Sequence, residues 1–125
     1  NDDSTIGAWR AVQEAGRGEN TLVAGLGGSV AALQELRTNP SWVAEGSIFI
    51  GEWGPYLIAM AIAILEGVEP PELTKAPQVV VTPETVDTFY DADGNVILLP
   101  PLEESNAYLA ETGVLQLFGK VQGLE

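Results

Sequence analysis

Apolar residues recur along the chain with two periods, one typical of amphipathic helices and the other of buried strands. In the first segment they lie three or four positions apart, which predicts a helix that Asp3 or Ser4 caps and Gly16 ends. The continuous apolar run of 22–25 instead predicts a short strand buried on both faces. The patterns together predict helices over residues 4–15, 29–37, 55–65 and 103–111, strands over 22–25, 42–50, 78–82 and 96–99, a helical turn over 83–87 and an apolar turn over 114–118.

The order of these elements, α-β-α-β-α-β with an irregular tail, is typical of an α/β protein built from βαβ units. Because right-handed crossovers place helices on both faces of such a sheet, we expect a mostly parallel sheet in three layers. No predicted strand precedes the first helix, which indicates an incomplete α/β fold, a fragment of a two-lobed protein. If the chain starts at Asn1, uncovered apolar edges predict that it self-associates.

Composition restricts the class of protein and its partners. The 125 residues suffice for one domain with a single core, and a hydrophobic share of 46% excludes a disordered acidic segment. Asp and Glu number 18 against 5 Lys and Arg, so the net charge of −13 repels phosphate backbones and predicts no nucleic-acid partner. The longest apolar run, residues 56–65, would span only about 15 Å as a helix, so we expect a buried helix and not a membrane span.

The absence of cysteine and histidine excludes several kinds of chemistry within this chain. There can be no disulfide, no thiolate nucleophile, no typical zinc site and no Ser-His-Asp triad. We therefore predict no catalytic residue, no metal ligands and no cofactor. Asp91, Asp93 and Asn95 lie close together, but the glycine and glutamate of a calcium loop are not at the required positions, and a polar turn is expected.

Two motifs could bind a ligand. Asn1-Asp2-Asp3 could cap the first helix, could bind sugar hydroxyls through an amide and a carboxylate, or could form a weak metal site. The glycine turn that ends at Gly28 partly matches the dinucleotide-binding fingerprint, but its third glycine would fall at Val30. A nucleotide-dependent Rossmann enzyme is therefore the least favoured alternative.

The chain resembles the sugar-type periplasmic binding proteins of ABC importers over about residues 1–90. The resemblance lies in short matches that follow one another in order: Asn-Asp-Asp at 1–3, Gly-Ala-Trp-Arg-Ala-Val-Gln-Glu-Ala-Gly-Arg at 7–17, Val-Ala-Gly-Leu-Gly-Gly at 23–28, Ile-Leu-Glu-Gly at 64–67, Pro-Pro at 70–71 and Val-Val-Val-Thr-Pro-Glu-Thr-Val-Asp at 79–87. It implies a ligand site that contains Asn1, Asp2, Gly27 and Ile48. Gly27 stands where the family has an aspartate that binds sugar hydroxyls, and Ile48 where it has a polar residue, so either the ligand is less hydroxylated than a pentose or hexose or other residues bind it.

The resemblance also implies a function and a division of the chain. Residues 1–47 would belong to the C-terminal lobe of a type I binding protein, residues 48–80 to a hinge crossing and a helix of the other lobe, and residues 81–125 to a return strand and a C-terminal extension. The protein would capture a small sugar or sugar-like ligand by hinge closure, without chemistry, and deliver it to an ABC permease. It would be periplasmic or extracytoplasmic, with a lipid anchor upstream as one option. The effector-binding domain of a transcription regulator with the same fold is the alternative.

Overall fold

The computed structural model describes residues 1–69 and 76–100. Helices and strands alternate in the predicted order: α1 (Asp2–Glu14), β1 (Val23–Gly27), α2 (Val30–Thr38), β2 (Trp42–Ser47), α3 (Trp53–Leu65), β3 (Val79–Val81) and α4 (Val86–Phe89), with short 3-10 turns at Gly18–Asn20 and Ile50–Glu52. The predicted helix over 103–111 and apolar turn over 114–118 lie outside the described residues. Of the strand predicted over 96–99, the structure has a single antiparallel bridge between Tyr90 and Val96.

The first two helices begin at side-chain caps. Oδ1 of Asn1 accepts a hydrogen bond from the backbone N–H of Ser4 at 3.1 Å, so the predicted cap at Asp3 or Ser4 is wrong. The helix begins earlier because an amide oxygen three residues before Ser4 already satisfies that donor. Ser29, where the predicted second helix begins, caps α2, since its Oγ accepts a hydrogen bond from the N–H of Ala32 at 3.3 Å.

The sheet is mixed, with strand order β1-β2-β3. β1 and β2 run parallel, with Gly25 beside Glu45, and β3 runs antiparallel to β2, with Val81 on the other side of Glu45. The prediction of an α/β arrangement is thus confirmed in its coarse form, while the mostly parallel sheet is found only in part. A parallel third strand needs a crossover that returns the chain to the starting end of the same sheet, and the residues between β2 and β3 belong to a different compact unit.

One compact unit consists of residues Asn1–Phe49 and Gln78–Pro100. Its core lies on one face of the sheet, where helices α1 and α2 and the segment after β3 meet. On the opposite face Leu26 is 56% exposed and Val80 is 66% exposed. The described part of this unit therefore has a helical layer on one side of its sheet. The buried hydrophobic side chains of this core are Trp9, Ala32, Leu33, Leu36, Trp42, Phe49, Val81, Val86 and Tyr90.

The second unit contains residues Ile50–Pro77, of which α3 is the main described element. Among its described residues, Ala59 and Ala63, four positions apart, are buried, and Val68 packs against them. Leu57 and Leu65 are exposed, so the expectation of a buried helix is wrong for most of its bulky residues. The buried stripe is made of small alanines, which leaves the larger side chains on other sides of the helix. No helix in the described ranges is long and apolar enough to cross a membrane.

Candidate functional site

The carboxyl ends of the parallel strands β1 and β2 meet the first turn of α1 and the N-terminus of α2. Asp2 lies at this junction and is only 4% exposed. Its Oδ2 accepts a hydrogen bond of 2.7 Å from the backbone N–H of Ser29. The carboxylate therefore joins the beginnings of two helices, and it satisfies an amide that α2 cannot pair internally.

Glu45 is the second acidic side chain at this edge, and it is fully buried. Its Oε1 accepts from the backbone N–H of Gly28 at 3.1 Å, and its Oε2 accepts from the indole N–H of Trp42 at 3.2 Å. An unpaired charge at such a position is costly, so these donors and the neighbouring carboxyl decide its protonation. Glu45 thus links β2 to the glycine turn after β1.

The pKa of the Glu45 carboxyl is raised from 4.5 to about 7. Burial makes the largest contribution, and the hydrogen bond and negative charge of Asp2 add to it. The N–H groups of Gly28 and Trp42 act in the opposite direction because they stabilise the ionised form. Glu45 therefore changes its protonation near neutral pH.

Glycines make the room that these acids occupy. A Cβ on Gly25 would collide with Oε2 of Glu45, and it would lie 2.9 Å from Cζ2 of Trp42. A Cβ on Gly27 would lie 2.6 Å from Oδ2 of Asp2. The space beside Gly27 is therefore filled by the carboxylate of Asp2.

A pair of hydroxyl groups completes the buried polar cluster. Ser47, at the end of β2, and Tyr90 form a hydrogen bond although they are far apart in sequence. The Tyr90 ring stacks on Phe49 with centroids 5.4 Å apart and planes 8° apart. Burial raises the pKa of Tyr90, and the charges of Glu45 and Asp2 act in the same direction, while the bond to Ser47 lowers it.

Arg37, near the end of α2, holds the Tyr90 segment in place. Its Nε pairs with Asp87 at 3.0 Å, and its Nη2 donates to the backbone oxygens of Tyr90 at 3.3 Å and of Asp91 at 2.8 Å. The Asp91 side chain accepts from the backbone N–H of Asn95 at 2.8 Å, which confirms a polar turn there. Within the described ranges no group of three acidic residues could hold a metal ion.

The structure brings together three of the four residues predicted to bind ligand. Asp2 fills the space beside Gly27, and the carbonyl oxygen of Gly27 accepts from the N–H of Ile48 at 3.3 Å. Asn1 is exposed next to Asp2 and caps its own helix. The helix-cap interpretation of Asn1 is thus confirmed, and a role in ligand binding stays a prediction.

The roles of Glu45, Ser47 and Tyr90 were not predicted from the sequence. A signal for Glu45 existed, because an acid within an otherwise apolar strand must be exposed, paired or protonated. Ser47 follows it at the two-residue spacing of one strand face. Tyr90 gave no such signal, since nothing in the sequence links it to Ser47.

A pocket of about 300 Å³ opens at the end of β2. Its lining is largely apolar and includes Leu26 and Val80 from the exposed face of the sheet together with Ile48. Gly46 has no side chain, and Leu26 occupies the space beside it on this face of the sheet.

No protein-family model, no curated protein and no solved structure matches this chain.

Proposed function

We propose that this chain is part of a solute-binding protein for a sugar-type ABC importer, which binds a small polar ligand at the carboxyl edge of its sheet. The observation that carries the proposal is that Asp2, Gly27 and Ile48, distant in sequence, meet where two parallel strands end. Ligands of open α/β sheets bind outside the carboxyl ends of the strands. The α/β order of the elements and the resemblance of residues 1–90 support the same class of protein.

The path of the chain also supports a hinge mechanism. The chain leaves its first compact unit after Phe49 and re-enters it at Gln78. The first crossing follows β2 and the second leads into β3. These two strands are neighbours in the sheet, because Ser47 pairs with Val79. Phe49 has a left-handed φ of 48°, which a bulky residue rarely adopts. In hinge closure around a ligand, a few loop residues at such crossings absorb the change in backbone angles.

The burial of each side chain suggests a distinct role in ligand binding. Asn1 is exposed, and while its oxygen caps α1, its amide N–H groups are donors that a ligand hydroxyl could accept. Asp2 is buried and bonded to Ser29, so in this proposal it positions Asn1 and does not contact the ligand. Gly27 and Ile48 contribute backbone and apolar surface.

These roles favour a ligand with fewer hydroxyl groups than a pentose or hexose. The carboxyl and hydroxyl groups of Glu45, Ser47 and Tyr90 are buried and already bonded to protein groups. The pocket beside Ile48 is lined mainly by apolar groups. A deoxy sugar or a similar compound with an apolar side would match this apolar wall. The ligand-bound protein would then deliver this compound to a membrane permease.

Calorimetric titration with a panel of pentoses, hexoses and deoxy sugars tests the proposal. We expect a member of the panel to bind, and Asn1→Ser to weaken that binding roughly 3- to 10-fold, as expected for the loss of one hydrogen bond. Serine keeps the helix cap but has no amide donor. Asn20→Ser, in the exposed turn Gly18–Asn20, is the matched control and should leave the affinity unchanged. The proposal fails if no sugar binds, or if the two variants bind equally well.

A further inference from the structure

The carboxyl groups of Asp2 and Glu45 have more acceptor oxygens than protein donors. Three N–H groups reach the pair, from Ser29 to Oδ2 of Asp2 and from Gly28 and Trp42 to the two oxygens of Glu45. Oδ1 of Asp2 is buried and accepts no hydrogen bond from the described residues. The Glu45 carboxyl lies within hydrogen-bonding reach of the Asp2 carboxyl.

Among the described residues no cationic group, including the amino group of Asn1, forms an ion pair with either carboxyl. The ion pair found there joins Arg37 to Asp87, at the other end of α2. The element after α4 contributes Tyr90, whose hydroxyl bonds Ser47, and the two acids disfavour its ionisation. Helix α1 contributes Asp2, strand β2 contributes Glu45, and the N-terminus of α2 contributes only peptide N–H groups. Two negative charges at these buried positions would repel each other with little compensation.

We propose that Asp2 and Glu45 share one proton and act as a pH-dependent latch, which holds the first turn of α1 against β2 and the N-terminus of α2. With one proton present, an O–H group lies between the two carboxyls and satisfies the open acceptor on Asp2. When that proton leaves, the neighbouring oxygens are both negative and lose the bond between them. The first turn of α1, which carries Asn1, is then released from the strand.

The direction of the pH effect follows from the raised pKa of Glu45. Between its ordinary pKa of 4.5 and the folded value of about 7, the folded protein binds a proton that the unfolded chain has lost. The stability that protonated Glu45 contributes is therefore fully present below about pH 4.5, decreases as the pH rises towards 7 and is lost above that value. Across the pH range between these two pKa values, the folding equilibrium constant decreases by up to roughly 300-fold.

The latch is tested by urea unfolding of the 125-residue chain at about pH 5 and about pH 8. The free energy of unfolding of the Asp2→Asn variant is compared with that of the wild type at both pH values. The asparagine oxygen can still accept from Ser29, and its amide group can donate to the ionised Glu45, as a permanent substitute for the shared proton. Asp3→Asn is the matched control, because it removes the same charge from the same helical turn at an exposed position. We expect Asp3→Asn to lose stability between the two pH values as the wild type does. Asp2→Asn should lose far less and should fold more than tenfold more favourably than Asp3→Asn at the higher pH.

Equal pH dependence of the two variants would overturn the proposal. A second measurement needs no substitution: the carboxyl carbon of Glu45 can be followed by NMR during a pH titration of the wild type. A midpoint near 7 supports the latch, and a midpoint near 4.5 refutes it. Because neither experiment involves a sugar, failure of the latch is distinguishable from failure of the proposed function.

Discussion

Replacing Gly25 by alanine should damage the buried edge of the sheet through a single methyl group. The added Cβ would collide with Oε2 of Glu45 and would lie 2.9 Å from both Cδ of Glu45 and Cζ2 of Trp42. Both neighbours are completely buried, so neither can move into solvent. Gly25 has no left-handed backbone angle, and the effect is therefore steric and not conformational.

The expected loss follows from two contributions. Forcing an extra methyl group into a packed core costs about 1–3 kcal/mol. Displacing the Glu45 carboxyl weakens its bonds to Gly28 and Trp42, and a weakened buried bond adds about 1 kcal/mol. We therefore expect Gly25→Ala to reduce the free energy of unfolding by roughly 2–4 kcal/mol, a large share of the stability of a small domain.

Urea unfolding, monitored by tryptophan fluorescence, measures this loss against a matched strand glycine. Gly46 lies in β2 on the opposite face, where an added Cβ would meet mainly the flexible end of Leu26 at 2.8 Å. Leu26 is exposed and can turn away, so Gly46→Ala should change stability by less than about 1 kcal/mol. Equal effects of the two substitutions, or a Gly25→Ala variant as stable as the wild type, would show that the Glu45 site is not packed as described.

Two further predictions concern the ends of α1 and α2. Asn1→Ala should lower the free energy of unfolding by about 1 kcal/mol because the N–H of Ser4 loses its acceptor, whereas Asn1→Ser should restore most of it; thermal unfolding followed by circular dichroism compares them, and equal melting temperatures would contradict the cap. Arg37→Lys keeps the charge but cannot reproduce the fork that reaches the oxygens of Tyr90 and Asp91, and we expect a loss of about 1–3 kcal/mol. Hydrogen exchange should then quicken at the backbone N–H of Tyr90, and unchanged exchange there would contradict this role for Arg37.

Local patterns were enough to predict most elements. The cap of α2 was predictable because a serine oxygen and the amide of Ala32 lie three residues apart. The antiparallel direction of β3 was not, because it depends on the chain passing through a second unit between Ser47 and Val79. Hydrophobic periodicity describes one element at a time and holds no information on such a path.

The candidate site was predicted less completely than the fold. Asp2 and Gly27 were both expected at the ligand, but their contact arises from packing, since the glycine leaves space for a side chain from another element. The burial of Glu45 likewise depends on Gly25, its neighbour in the parallel register. Such complementarity between a missing side chain and a buried acid appears only when the strands are aligned.

The interrupted first unit has a consequence for folding during synthesis. Its core combines residues from before and after the segment Ile50–Pro77, and the bond between Ser47 and Tyr90 spans 43 residues. The oxygen of Asp91 that Arg37 binds lies 54 residues further along the chain. A ribosome must therefore release both halves before the core can close, and until then the sheet edge of β2 that β3 will cover stays open to other chains.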